Sequence, residues 1–171
     1  NALLKGKPTM ANFEMPGYEF DRTESRARAT CDTLNKLREM WPGKLVVKGV
    51  LDVEDALTLK AAGVDGIQVS SHGARQLESA PVPIEMLAKI REQIGADYPL
   101  FFDSGIRSGE DVLRALTQGA DFVFLGRILQ YALAAGHERG LHKLWDVISE
   151  EMSIVMAQTG LTSPKDITGL R

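Results

Sequence analysis

The sequence of 171 residues predicts an α/β fold: four parallel βα units followed by C-terminal helices. Three observations point there. Four short apolar runs recur along the chain, each followed by a helical pattern, and short buried strands joined through helices pair in parallel. The chain also resembles itself when slid by 56 residues: Gly49 falls on Gly105, Glu54-Asp55 on Glu110-Asp111, Leu57 on Leu113, Gly63 on Gly119 and Asp65 on Asp121. Finally, polar residues collect directly after the apolar runs. Repeated right-handed βα units of this size build a (β/α)8 TIM barrel, which takes ~250 residues and eight strands. Four units supply half of one.

The elements follow in order. Residues 1–24 mix Gly, Pro, charge and scattered aromatics without periodicity and are expected to be a loop segment, with the half-barrel in residues 25–171. Glu24 to Met40 favours helix, with Leu34, Leu37 and Met40 on one face, and Pro42-Gly43 ends it. Leu45-Val46-Val47 reads as a strand carrying Lys48 and Gly49 at its end. Asp52 is an N-cap for a helix through Ala62, with Gly63 at the C-terminal cap. Gly66 to Val69 is a strand, and Pro83 to Ile94 a helix with Pro near its first position. Leu100-Phe101-Phe102 is a strand ending at Asp103. Ser108 to Gln118 is a helix with Ser108 and Asp111 at capping-box spacing, closed by Gly119. Phe122 to Leu125 is a strand. Helices over 129–135 and 140–159 follow, and Ser163-Pro164 would start another. Leu144, Ile148, Met152, Val155 and Met156 form a stripe expected in the core.

Composition sets outer bounds. A net charge of −3 gives no general electrostatic case for nucleic acid. The single Cys31 cannot form an intrachain disulfide, is expected to be a packing residue, and fits a reducing, cytoplasmic setting. No apolar run approaches the ~20 residues of a membrane span. The chain opens on Asn1 rather than Met, so the lack of a leader says nothing about targeting.

In a barrel of this kind the chemistry lies at the C-terminal ends of the strands. The polar residues there are Lys48, Ser70 to Arg75, Asp103 with Ser104, Gly105 and Arg107, and Gly126 with Arg127. His72 and Arg75 share one loop. A histidine takes a proton near neutral pH, and an arginine holds a carboxylate through two parallel hydrogen bonds. That pairing suits chemistry on the carbon next to a carboxylate. The turns Asp103-Ser104-Gly105-Ile106-Arg107 and Leu125-Gly126-Arg127 each place small residues and a cation ahead of a helix N-terminus, as a phosphate site requires. Lys48 at a strand end needs a partner, which an electron-rich ring oxygen or nitrogen could supply. His137 and His142 read as surface residues.

Four motifs now carry a resemblance: Leu-Val-Val-Lys-Gly-Val (45–50), Ser-Ser-His-Gly-Ala-Arg-Gln-Leu (70–77), Asp-Ser-Gly-Ile-Arg (103–107) and Leu-Gly-Arg (125–127). In this order and spacing the chain, from Pro42 onward, resembles the FMN-dependent 2-hydroxy-acid dehydrogenases and oxidases, which include glycolate oxidase, L-lactate dehydrogenase and mandelate dehydrogenase. Trp-Pro-Gly-Lys-Leu (41–45) looks most like the bacterial lactate and mandelate dehydrogenase branch. The resemblance implies the C-terminal half of an FMN barrel that oxidises a small L-2-hydroxy acid to the 2-oxo acid. It implies His72 as base and Arg75 as carboxylate holder, with Lys48 by the flavin N1/O2 edge. Asp103 and Arg107 would reach the ribityl-phosphate region and Gly126 and Arg127 the phosphate, with Ser70, Ser104 and Gly105 also in the cofactor set. Whether the proton leaves carbon 2 or its hydroxyl stays open. Three positions depart from the family pattern: Ser71 stands for a usual Asn, Ser104 for a common Gly and Glu78 for a common Asp.

Two other readings of the same residues stand beside this one. One is a different FMN barrel enzyme, which would share the phosphate end without needing His72 and Arg75 together. The other is a non-catalytic fragment or FMN-binding half-barrel module completed by another chain. The expected partners are the substrate, the N-terminal half-barrel, further copies of the parent protein and no nucleic acid. The region around Phe13, Met15, Tyr18 and Phe20 resembles one tied to peripheral contact with the inner membrane.

Overall fold

The computed structural model describes residues 30–168. It divides within the first helix into two units, one ending at Leu37 and one running from Arg38. The expected loop over 1–24, the aromatics at 13–20 and the start of the first helix lie outside the described residues. Helix α1, Cys31–Met40, carries no buried residue. Its expected apolar stripe is largely exposed, with Leu37 at 47% and Met40 at 79%, and Cys31 is exposed rather than packed.

The second unit holds four parallel strands in the order β1-β2-β3-β4: β1 Val46–Val50, β2 Gly66–Val69, β3 Leu100–Phe102 and β4 Phe122–Val123. Helices alternate with them: α2 Val53–Ala61, α3 Pro83–Ile94, α4 Gly109–Thr117, then α5 Arg127–Thr159 and α6 Pro164–Thr168. This is the arrangement read from the sequence. Strand β4 is shorter than expected, although Phe124 N–H still reaches Phe102 C=O at 2.8 Å. The helices expected over 129–135 and 140–159 are both present within α5, separated by a sharp break where Gly136 and His137 leave helical geometry. Within its stripe Ile148 is buried, while Leu144, Met152, Val155 and Met156 are half-buried.

Strand register sorts the side chains onto two faces. Val46 pairs with Gly66, Lys48 with Gln68, Gln68 with Phe101 and Phe101 with Phe122. The opposite residues Ile67, Val69, Leu100 and Phe102 form the core with Leu87, Ile90 and Ile94 of α3 and with Ala56 and Ala115. These positions are essentially sealed, so each large side chain removed from water there contributes about 1.5–3 kcal/mol. The other face carries Val46, Phe122 and Phe124 at 44%, 57% and 42% exposure, with Phe124 edge-on to both Phe101 and Phe122.

The 56-residue repeat has structural content. Asp52 and Ser108 both cap the helix that follows through their side-chain oxygens. Gly49 and Gly105 share φ of 99° and 90°, and Gly63 and Gly119 share 78° and 110°. Asp65 Oδ2 accepts from Leu45 N–H at 2.9 Å and from Arg38 at 2.8 Å. Asp121 Oδ2 accepts from Leu100 N–H at 2.8 Å and from Arg91 at 2.7 Å. Arg38 also donates to Gly63 C=O, as Arg91 does to Gly119 C=O. Each unit pair thus has the same arginine–aspartate clasp at the N-terminal ends of its strands. Lys44 Nζ, the Leu45 N–H and Arg38 hold the Asp65 carboxyl well below the usual carboxylate range. One expectation is modified: Ser108 accepts from Asp111 N–H at 3.1 Å, but the Asp111 carboxylate reaches Arg107 N–H rather than closing a box on Ser108. At Gly109 a Cβ would lie 2.5 Å from Ile148 C=O, so α4 and α5 meet there through bare backbone.

Candidate functional site

The polar residues after the strands converge on one carboxylate. Gln68 on β2 donates to Asp103 Oδ2 at 2.7 Å, and Lys48 Nζ on β1 lies 3.3 Å from the same oxygen. Ser104 donates to Asp103 Oδ1 at 2.8 Å, and the Ser70 hydroxyl also bonds Asp103. Burial pushes the Asp103 carboxyl up. The hydrogen bonds from Ser70 and Ser104 and the Lys48 charge outweigh it, and the net shift is downward. Lys48 also donates to Ser70 Oγ at 2.9 Å. Within the described residues Asp103 is the charged partner of Lys48. The ammonium still has open space, its side chain being 41% exposed.

Next to this cluster the chain makes a turn that the sequence reading did not foresee. His72, Gly73 and Ala74 have φ of 56°, 67° and 61°, a left-handed turn closed by Ala74 N–H on Ser71 C=O at 3.0 Å. Left-handed backbone costs a non-glycine residue roughly 1–2 kcal/mol. Serine hydroxyls supply the compensation. Ser70 Oγ accepts from His72 N–H at 3.1 Å, Ser104 Oγ from Gly73 N–H at 3.1 Å, and Ser71 Oγ from Ala74 N–H at 3.3 Å. Ser104 Oγ accepts in addition from Ser71 N–H at 3.1 Å.

Two of the expected site side chains lie at the edges of this turn. The His72 imidazole leans on β1: a Cβ at Gly49 would fall 2.7 Å from His72 Cε1. On the other flank a Cβ at Gly73 would lie 3.4 Å from Arg127 Nη2. Arg127 opens α5, whose N-terminus has no side-chain cap at Gly126. A cleft of about 330 Å³ is lined there by Ser71, Gly73, Ser104, Gly105, Arg114 and Arg127, among others. Of the expected phosphate residues, Gly105 and Arg127 share this cleft. Gly126 adjoins it in sequence, while Arg107 is exposed and does not line it. His72 and Arg75 are both exposed beyond β2. His137 and His142 are exposed, as expected. One contributor escaped the sequence reading: Gln68, which strand alternation would have put on the Lys48 face.

A histidine, arginines and a lysine gathered at the C-terminal ends of parallel strands are placed where (β/α)8 barrels carry their active sites. The particular assignment is direct: residues 4–170 match the FMN-dependent dehydrogenase family, and the chain belongs to it. It is 44% identical over 135 residues to an L-lactate dehydrogenase of Bartonella quintana (strain Toulouse), covering 79% of this chain and 35% of that protein. An L-lactate dehydrogenase of Acinetobacter baumannii (strain AYE) is 46% identical over 134 residues, with 78% and 35% covered. Among solved structures, a mandelate oxidase with (S)-4-hydroxymandelic acid aligns at TM-score 0.77 and 38% identity over 82% of this chain and 39% of that one. A Pediococcus acidilactici lactate oxidase aligns at 0.80 and 33%, over 86% and 41%. The chain spans about a third of the length of the curated relatives it matches. Its structural neighbours are (β/α)8-barrel enzymes of which it covers part, among them a mandelate oxidase with a monooxide FMN adduct.

Proposed function

We propose that the protein carrying this chain uses FMN to oxidise a small L-2-hydroxy acid, of the lactate, mandelate or glycolate type, to the 2-oxo acid. The observation that carries this reading is the left-handed turn: His72 rests on one of its flanks against β1, and Arg127 on the other beside the uncapped start of α5. One turn thereby joins a proton acceptor to an anion site. The described residues fit the phosphate end of FMN. At both Gly105 and Gly126 nothing stands within 4 Å of where a Cβ would lie, leaving room for a phosphate to approach the backbone, and Arg127 adds a fixed charge. When bound, FMN supplies a two-electron acceptor.

The chain's own residues do the rest. Lys48, aligned by Asp103 and Ser70, provides positive charge where negative charge develops. Arg75 holds the substrate carboxylate and so presents the reacting carbon. His72 would take one proton, from carbon 2 or from its hydroxyl, and the second proton and the two electrons would go to the acceptor as the C–O single bond becomes C=O. Asp103, with both oxygens engaged inside the chain, sets Lys48 and the serines rather than reaching outward. In the same reading a second half-barrel covers the face carrying Val46, Phe122 and Phe124 and pairs the edges of β1 and β4. Among the described residues no helix is long and apolar enough to cross a membrane.

The test is an Arg127→Ala exchange in the protein with its full barrel. FMN affinity should fall at least tenfold, about 1.4 kcal/mol, because a charged hydrogen-bond partner is lost. Unchanged affinity would overturn the phosphate assignment. Failure of the loaded, unsubstituted protein to oxidise lactate, mandelate or glycolate would overturn the activity.

A further inference from the structure

Ser104 occupies a costly position. Its φ is 88°, a conformation that suits glycine, yet a side chain is present. That side chain makes three hydrogen bonds at once: it donates to Asp103 Oδ1 at 2.8 Å and accepts from Ser71 N–H and Gly73 N–H, each at 3.1 Å. The direction of these bonds is fixed. A carboxylate can only accept, so the single hydroxyl proton goes to Asp103, and the oxygen lone pairs face the two amides. All three contacts join residues after β3 to one another or to the turn after β2, about thirty positions apart in sequence.

We propose that Ser104 is a positioning residue rather than a cofactor ligand: its hydroxyl ties the His72–Ala74 turn to the Asp103 carboxylate, and so sets where the imidazole stands. The tie deepens the functional reading above and rests on it. Asp103 also faces Lys48, so one hydroxyl links the charge-bearing group on β1 to the proton-accepting group on the turn. The strain at residue 104 is tolerated because no glycine could supply the bond.

Two variants separate the hydroxyl from the backbone strain. Ser104→Ala removes the hydroxyl and keeps the strain, whereas Ser104→Gly removes both. Amide hydrogen exchange is followed residue by residue in each, without cofactor. The expected result is at least tenfold faster exchange at Ser71 and Gly73 in both variants, with α3 amides unchanged and Ser104→Gly melting no lower than the parent. In the flavin-loaded protein both variants should lose at least tenfold in kcat while FMN affinity stays within twofold. A merely structural role would instead lower global protection and leave kcat of the folded protein intact. Unchanged exchange at Ser71 and Gly73 would overturn the tie. Faster exchange with normal kcat would overturn the positioning role, as would lost FMN affinity with normal kcat. If the unsubstituted protein oxidises no 2-hydroxy acid, the functional reading fails by itself, and the exchange measurement still decides the tie.

Discussion

Arg91 should be among the most stabilising charged residues of this chain, and its contribution follows from its contacts. Its side chain is only 10% exposed. Nε donates to Gly119 C=O at 2.8 Å, Nη1 to the carbonyls of Gly95, Ala96 and Tyr98 at 2.7, 3.0 and 2.9 Å, and Nη2 to Asp121 at 2.7 Å. In Arg91→Ala the carbonyls of exposed Gly95 and Ala96 regain water. Gly119, which is buried, and Tyr98, which is partly covered, do so incompletely, while exposed Asp121 stays solvated. Hydrogen bonds to charged groups contribute about 1.5–3 kcal/mol each, so the net loss should be about 3 kcal/mol. With a urea slope of ~2 kcal/mol per molar, the unfolding midpoint should fall by about 1.5 M. Arg91→Lys keeps the charge but has one nitrogen in place of the fork, and should recover less than half of the shift. Arg38→Ala, where Arg38 is more exposed than Arg91, should shift the midpoint less. A midpoint change below about 0.3 M for Arg91→Ala, or full recovery by Lys, would refute the clasp as a structural element.

Three further outcomes are expected. In the protein with its full barrel, His72→Ala should lower turnover by roughly 10²–10⁴-fold while substrate still binds. Arg75→Ala should chiefly raise the Michaelis constant, and an ester substrate that works equally well would count against the carboxylate contact. Gly49→Ala puts a methyl group 2.7 Å from His72 Cε1 at a φ of 99°, so it should cut turnover with little effect on FMN affinity. Normal turnover would show that the imidazole's place against β1 is unimportant. Asp65, Asp103 and Asp166 all have lowered carboxyl pKa values, so their stabilisation is present above the ordinary value of 3.8 and is lost as the pH falls below it. Stability should therefore drop on acidification below about pH 4, and Asp65→Asn should flatten that dependence; an unchanged acid profile in this variant would contradict the assignment.

The legible parts of this fold are those written in nearby residues. Asp52 and Ser108 cap helices because an oxygen there meets amides two or three positions on, and a sequence window contains both partners. The strands were readable from their apolar runs, and the residues beyond them from the rule that chemistry collects at strand ends. The expected site residues were named in this way, but their connections were not. The Gln68 contact with Asp103 spans 35 positions and those of Ser104 with the turn about thirty, and no local pattern announces either. The left-handed turn was hidden for a related reason. His72 and Ala74 do not favour positive φ, and the serines that hold them there act partly from another loop. The stripe on α1 was enough to read a helix there, but periodicity identifies an apolar face without saying how exposed it is.

The two arginine–aspartate clasps sit at one end of the sheet, and the serine-held turn, Lys48 and Arg127 sit at the other. This separation bears on how such a chain can change over generations. A substitution among residues 70–75 or 103–107 alters groups remote from Arg38, Asp65, Arg91 and Asp121, and contributions from well-separated sites add rather than interfere. New specificity can then be explored at one pole while the other keeps the molecule above its folding threshold. The repeated clasp also means that each added pair of βα units brings its own fastening, so lengthening the array by duplication carries the means of holding the new units in place.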